Sequence, residues 1–338
     1  MRRSLFLSLL LCLCGPLCAQ EEVALDCPWG TLRGTLLAPE GEKGEKGEDE
    51  NGGKTAGTVV LLIAGSGPTD RNGDGQGGLS TRCYALLAEA LQSGGFASLR
   101  YDKRGIGGSY CRDREAFLAD CRFTYFVDDA LLWAEWLREE RGFSRVVLAG
   151  HSEGSLIALL AAARAPEKVD AVVSLCGAAW PMDEILKVQL MNQLAGYDMG
   201  LLLTANRIID TLKRGGTPEN IPAQLAALFP AYLNDFYHEQ MNCDPQRLAA
   251  GLKCPLLVAG GMHDVQVPPD NARALHRARP GSQLVLVEGM THTLKRSEGT
   301  TPADQAAAYT DPALPLAAGL TAPILEFLKE GERVVDSE

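Results

Sequence analysis

The chain has little of what several large function classes require. It has no basic tract beyond isolated Lys and Arg residues, and its net charge is −11. Nucleic acid binding rests on phosphate neutralisation, so nucleic acid is not expected as a partner. It has no CxxC motif and no Cys/His cluster at zinc spacing, so neither a structural metal nor any other cofactor is called for. The glycine-rich stretch "AGSGPTDRNGDG" lacks the Lys-Ser/Thr of a phosphate-binding loop and does not match a dinucleotide fingerprint. The one long apolar run, near the N-terminus, is too short and too poorly flanked for a membrane span. Histidine is scarce as well. Only His151, His238, His263, His276 and His292 are available as a base.

What is present is a globular composition, 46% hydrophobic with 36 Gly and 18 Pro in 338 residues. The opening "MRRSLFLSLLLCLCGPLCAQ" places Arg2 and Arg3 before an apolar run and small residues near Ala19. This is the pattern of a secretory signal peptide, residues 1–19, and it predicts an exported protein, periplasmic or secreted. The alternative is lipid attachment at Cys18, against which Pro16 and Leu17 stand where small residues are usual. Export leaves Cys27, Cys83, Cys111, Cys121, Cys176, Cys243 and Cys254, an odd number that cannot pair fully within one chain. Cys111 and Cys121 flank a polar loop, "CRDREAFLADC", and are the expected disulfide; Cys176 and Cys254 lie in apolar runs and read as buried thiols.

The remaining chain has a recognisable order. "EVALDCPWGTLRGTLLAP" alternates apolar and polar residues around Trp29-Gly30 and predicts an antiparallel hairpin of two edge strands. The Gly-Glu-Lys stretch that follows reads as a solvated loop. From residue 58, buried strands alternate with amphipathic helices, which argues for a doubly wound, mostly parallel sheet with helices on both faces. The alternation stops between 182 and 250, where Leu, Met and Ala recur at helical spacing between Gly and Pro stops. The expected organisation is an α/β core over 20–181 and 251–332, with a helical lid insertion of roughly four helices over 182–250. Met182, Leu186, Leu190, Met191, Leu194, Leu201, Leu202 and Leu203 are too many apolar residues for a solvated surface and are expected to line an acyl pocket in part.

The chemistry centres on "VVLAGHSEGSLIALLAAARA", where G-x-S-x-G joins an apolar run to a helical one. Such a joint is a nucleophile elbow. The turn is too sharp for side chains at its flanks, and it forces the serine, Ser152, into a strained conformation above the sheet. The helix that follows offers free N–H groups to an oxyanion. A serine needs a base. On this architecture the acid and then the base follow the nucleophile in the chain. His292 lies just after the strand "SQLVLVE", and Asp264 ends the strand before it, so Asp264 and His292 complete the predicted triad. His263 neighbours Asp264 but faces the other way on an extended backbone. His276 reads as a helix-surface residue, His238 as part of the insertion, and His151 as held by the elbow. The oxyanion donors are the N–H of Glu153, the residue after the nucleophile, and that of Ser66 or, second, Gly67.

The series "AGSGPTDRNG", "LRYDKRGIGGS", "GHSEG", "GGMHDVQVP" and "MTHTLK" resembles the α/β-hydrolase superfamily over roughly residues 20–330. Within it, the series is similar to bacterial secreted carboxylesterase-like proteins grouped with the serine aminopeptidases. The resemblance implies the α/β-hydrolase fold and carries Ser152, Asp264, His292 and the oxyanion donors into those roles. It departs at Ala64-Gly65, where many members have His-Gly, a histidine that is not catalytic. Asp70, Arg71, Asp102 and Arg104 match turns that brace the site. The implied activity is cleavage of small to medium carboxylic esters, with a small-molecule ester or short peptide as substrate. A serine aminopeptidase, or another amide or thioester hydrolase, is the alternative. It needs a carboxylate for the substrate's ammonium, and Glu153, Glu184 and Glu239 are candidates. A non-catalytic binding module is the remote third reading.

Overall fold

A computed structural model describes residues 20–39, 57–194 and 196–335. The signal segment, Cys18 and most of the Gly-Glu-Lys stretch lie outside the described residues. The chain begins with strands β1 (Gln20–Cys27), β2 (Gly30–Leu37) and β3 (Thr58–Ile63), then helix α1 (Cys83–Ser93) and strand β4 (Ala97–Tyr101). Short β5 (Tyr110–Cys111) leads into α2 (Arg114–Ala119) and α3 (Thr124–Glu139). Strand β6 (Arg145–His151), α4 (Glu153–Arg164) and β7 (Ala171–Leu175) follow. Next come α5 (Met182–Leu194), α6 (Met199–Lys213), α7 (Ala223–Ala226), α8 (Asn234–Met241) and α9 (Pro245–Gly251). The sheet resumes with β8 (Leu256–Gly261), α10 (Asp270–Ala278) and β9 (Gln283–Val287), and α11 (Pro302–Thr310) and α12 (Thr321–Val335) complete the described chain.

The strands form one nine-stranded sheet in the order β1-β2-β4-β3-β6-β7-β8-β9, with β5 on β2. From β4 to β9 all pairings are parallel; β1–β2, β2–β4 and β2–β5 are antiparallel. The expected hairpin is there, but only β1 is an edge strand. β2 is interior, because Gly34–Leu37 also pair with β4. The two-residue alternation of side chains sorts the central strands between two cores. In β3, Val59, Leu61 and Ile63 join one apolar cluster and Val60 and Leu62 the other; in β6, Val146 and Leu148 separate likewise from Val147 and Ala149. Helices α3, α4 and α10 cover the first face, and α1 and α12 the second. Burial on both faces explains why these strands read as continuous apolar runs.

The stretch between β7 and β8 is helical, and α5 to α8 contribute a separate small core that includes Leu186, Leu202, Ile209 and Phe229. Two ion pairs, Lys187–Asp210 at 2.5 Å and Lys213–Asp183 at 2.8 Å, tie α5 to α6. Helix α8 also reaches the main core, where the Phe236 ring packs edge-on against Phe123 and Phe126. Helix α9 packs on α4 and α10, with Ala249 in the main core. No described helix is long and apolar enough to cross a membrane.

Two expectations need correction. The stretch 111–121 is not simply a loop: Asp113 accepts the Ala116 N–H and caps α2 inside it. Nor do its cysteines form a disulfide, for Cys111 and Cys121 are both free thiols. Cys111 lies in β5 and Cys121 in the connection between α2 and α3; both line the pocket described below, and burial pushes the Cys121 thiol up to about 12.

Candidate active site

The elbow is built by close backbone contact. Ser152 sits at φ 54° and ψ −117°, at the N-terminus of α4. A β-carbon on Gly150 would lie 2.0 Å from the Gly154 carbonyl oxygen, and one on Gly154 would lie 2.2 Å from that of Ile63. Real contacts of that kind do not occur, so both positions need glycine, and the strand β3 can lie hard against the turn. The strained serine is held by its own N–H, which donates to the Leu175 carbonyl at 2.8 Å.

Above this turn the structure brings together the three residues expected from sequence. His292 Nε2 is 2.9 Å from Ser152 Oγ, and His292 Nδ1 is 2.8 Å from Asp264 Oδ2. With Nδ1–H donated to the carboxylate, Nε2 presents its lone pair to the serine hydroxyl. The other oxygen of Asp264 accepts the N–H groups of Gln266 at 2.9 Å and Val267 at 2.8 Å, which fixes the buried carboxylate. Three histidines stand apart. His263 bonds to the Ser297 carbonyl, His238 to that of Lys213, and His276 to the Ser282 hydroxyl rather than facing solvent alone.

His151 has a larger part than sequence reasoning assigned. Its Nδ1 is 2.7 Å from the Tyr84 hydroxyl and its Nε2 2.7 Å from the His292 carbonyl. The Tyr84 hydroxyl also accepts the Gly65 N–H at 3.0 Å. Burial and the neighbouring His292 ring hold the His151 imidazole down at about 3, so it is neutral and supplies one N–H and one lone pair to this chain of bonds. The chain joins α1, the β3–α1 loop and the loop carrying His292. Its members are distant in sequence, and no local signal marks them.

Ser66 and Gly67 are exposed and line the same pocket as Ser152, Glu153 and His292. Glu153 opens α4, so its N–H is one of the helix's unpartnered donors and points toward the nucleophile's end of the turn. The bracing turns are also in place. Asp102 accepts the Arg71 N–H and the Gly108 N–H, both at 2.8 Å, Asp70 accepts three successive N–H groups, and Arg104 bonds Asp129 with two nitrogens.

One group of three potential ligands occurs among the described residues: His151, Cys176 and His292, with donor atoms within 4.8 Å of one another. These atoms are already committed. Both nitrogens of each ring have hydrogen-bond partners, and burial holds the Cys176 thiol well above its ordinary value, so no thiolate is offered.

The pocket has a volume of about 990 Å³. The 182–250 segment supplies part of its wall, through Met182, Ile185, Leu186, Leu228, Phe236 and Tyr237 among others. Of the eight apolar residues singled out from sequence there, only Met182 and Leu186 line it. Leu190, Leu194, Leu201 and Leu202 pack within the insertion's own core, and Met191 and Leu203 are exposed. None of the three carboxylates considered for an ammonium site is free in the pocket. Glu153 is paired with Lys103 at 3.0 Å, Glu239 accepts from Thr124, and exposed Glu184 does not line it.

Comparison with known proteins relates the chain to hydrolases. A family model described as "Serine aminopeptidase, S33" matches residues 77–298. The esterase EstD of Thermotoga maritima is 28% identical over 251 residues, 73% of this chain and 57% of that protein. The chain thus spans little more than half the length of that relative. The human serine hydrolase BPHL is 25% identical over 253 residues, covering 70% of this chain and 73% of that protein. Among solved structures, Est1E from Butyrivibrio proteoclasticus with bound ferulic acid superposes with a TM-score of 0.57 at 16% identity, covering 94% of this chain and all of that one. The α/β hydrolase GrgF from a Penicillium species gives 0.58 at 16% identity, over 93% and 99% of the two chains. These likenesses show the α/β-hydrolase fold.

Proposed function

Because the chain belongs to the serine aminopeptidase, S33, family, we propose that it is a serine hydrolase that cleaves carboxylic esters of small to medium acyl chains through an acyl-enzyme. The observation that carries the reading is His292 bridging Ser152 Oγ and Asp264 at 2.9 and 2.8 Å above a strained elbow. In the first half-reaction, His292 Nε2 takes the Ser152 proton as Oγ attacks the carbonyl carbon. The resulting oxyanion accepts from the Glu153 N–H and from the Ser66 N–H, with Gly67 beside it. His292 then protonates the leaving alcohol. In the second half a water loses its proton to His292, attacks the acyl-enzyme and restores Ser152. Asp264 orients the ring and stabilises its charged form throughout. No step calls for a cofactor.

Ester is favoured over peptide by the pocket. Its one carboxylate among the described residues is Glu153, already neutralised by Lys103, so a substrate ammonium would be buried without a partner. The 182–250 segment serves as the lid in this reading, supported by its share of the pocket wall. Export is part of the proposal too and rests on the sequence of residues 1–19; processing there makes Gln20 or Glu21 the first residue that N-terminal sequencing of the mature protein reads.

The test is turnover of p-nitrophenyl esters against aminoacyl p-nitroanilides, with Ser152→Ala as control. Ester turnover is expected, with a loss of about 10⁴-fold or more in the variant and no labelling of it by a fluorophosphonate, while its circular dichroism is retained. Preferred cleavage of the anilides establishes the aminopeptidase alternative. Undiminished turnover by pure Ser152→Ala protein removes the nucleophile assignment.

A further inference from the structure

A buried ion pair lies beside the nucleophile and takes no part in the triad. Lys103, in the loop after β4, and Glu153, directly after Ser152, have side chains only 4% and 6% exposed and meet at 3.0 Å. The second Glu153 oxygen accepts from Gln240 on α8 at 2.9 Å. Lys103 Nζ makes one further bond, to the Gly65 carbonyl oxygen at 2.5 Å. Gly65 is packed against the elbow so closely that a β-carbon there would lie 3.2 Å from Ser152 Cβ.

The Gly65 carbonyl and the Ser66 N–H belong to one peptide unit. That unit is planar and trans, so its C=O and N–H point in opposite directions. Holding the carbonyl on Lys103 therefore turns the Ser66 N–H the other way. The preceding unit is held as well, by the Gly65 N–H on Tyr84. A glycine on one side of the unit leaves its rotation cheap, so without a clamp the carbonyl is free to swing round. An oxygen turned toward the nucleophile would repel the developing oxyanion instead of binding it.

We propose that Lys103 is a positioning residue that keeps the oxyanion hole formed, by pinning the Gly65–Ser66 peptide while it pairs with the residue that supplies the other donor. Glu153 is the counter-ion that makes a buried ammonium tolerable there, and Lys103 in return cancels a carboxylate that would oppose the oxyanion. Gln240 ties the same carboxylate to the insertion. This inference rests on the serine-hydrolase reading above.

The test compares Lys103→Met with the double variant Lys103→Met/Glu153→Gln in the full-length protein. The double variant removes both buried charges, so a structural loss from an unpaired Glu153 is relieved in it. Expected is a double variant with near wild-type circular dichroism and melting temperature, kcat for p-nitrophenyl acetate lowered about 10- to 100-fold, somewhat below the cost of deleting a donor outright, and KM little changed. Binding of a trifluoromethyl ketone, which presents an oxyanion, is expected to weaken by the same factor. Recovery of wild-type kcat in the double variant would overturn the clamp and leave only charge compensation, as would full kcat in a folded Lys103→Met protein. A wild-type protein without Ser152-dependent turnover overturns both readings, whereas Ser152-dependent turnover untouched by either Lys103 variant overturns this one alone.

Discussion

The shelf that carries Ser152 and the helical segment above it are held together in different ways. At the shelf, backbone meets backbone. The positions of Gly150 and Gly154 leave no room for a methyl group, Ser152 is strained, and Asp264, His292, His151 and Tyr84 each have their polar side-chain atoms fixed by hydrogen-bond partners. In the segment from α5 to α8, contacts are between side chains around a small apolar core, and Val188, Met191, Met199 and Leu203 remain about half exposed. The first arrangement tolerates one geometry and suits chemistry that needs donors and nucleophile aligned. The second tolerates repacking and suits discrimination between acyl groups, where one methylene is worth only a modest factor.

The contrast is tested most severely by Gly154→Ala. The new methyl group would meet the Ile63 and Ala64 carbonyl oxygens at 2.2 and 2.8 Å, and neither is a flexible side-chain end. Strand β3 and helix α4 must separate. A loss of about 3 kcal/mol or more in urea unfolding is expected, at the upper end for overpacking, together with loss of activity. A variant within 1 kcal/mol of wild type, on that same scale, would show that the elbow is looser than its contacts state.

A second probe of the shelf is acid. His151 is neutral in the fold down to about 3, against about 6.5 when unfolded. Between those values the unfolded chain binds the extra proton. Stability is therefore complete above about pH 6.5 and falls as pH drops toward 3, with a slope of about 1.4 kcal/mol per pH unit from this one group. His151→Gln cannot titrate, so its stability, lower at neutral pH through loss of the ring, is expected to fall less steeply over that interval. Equal slopes in the two proteins would mean that other groups carry the acid dependence.

For the insertion, Met182→Trp adds bulk to a residue that lines the pocket on α5. The ratio of kcat/KM for octanoyl and acetyl esters is expected to fall about 10-fold, the scale on which apolar pockets discriminate, with labelling of Ser152 by a small fluorophosphonate retained. An unchanged ratio would take the segment out of substrate selection.

The same contrast governs what the sequence disclosed. The sharp turn at Ser152 and the meeting of Ser152, His292 and Asp264 were legible because their constraints are local: glycines at fixed offsets, and strand ends that follow one another in the chain. The central strands were legible because burial on both faces makes them uniformly apolar. Helix α11 was missed although its signal is present, since Thr301 and Asp304 cap each other around Pro302. The hydrogen bonds of His151 and Lys103 had no such signal. They depend on Tyr84, Gly65 and Gln240, brought near by folding across tens of residues. In the insertion, apolar residues at helical spacing told that helices form, but which face turns to the pocket is decided by packing. Leu190 and Leu202 went to the insertion's own core, and the aromatic Phe236 and Tyr237 took places on the wall.

The smallest expected effect returns to the first substitution at the other region. Gly200 lies in the first turn of α6, outside the left-handed region, and a β-carbon there would meet only Asp198 Oδ1 at 3.4 Å, an ordinary contact. Asp198 caps this helix by accepting the Leu201 N–H, a bond the methyl group leaves in place. Replacing glycine by alanine at such a site narrows the unfolded ensemble and favours the helical backbone. Gly200→Ala is therefore expected to stabilise the protein by about 0.5 kcal/mol, read as a rise of about 1–2 °C in melting temperature, with ester kinetics unchanged because the position lies off the pocket. Opposite signs for Gly→Ala at 154 and 200 would confirm that the two regions differ in packing and not merely in composition. A loss at Gly200 as large as that at Gly154 would mean that the insertion is as rigidly interlocked as the shelf, and its proposed part in selecting acyl groups would have to rest on fixed shape rather than on repacking.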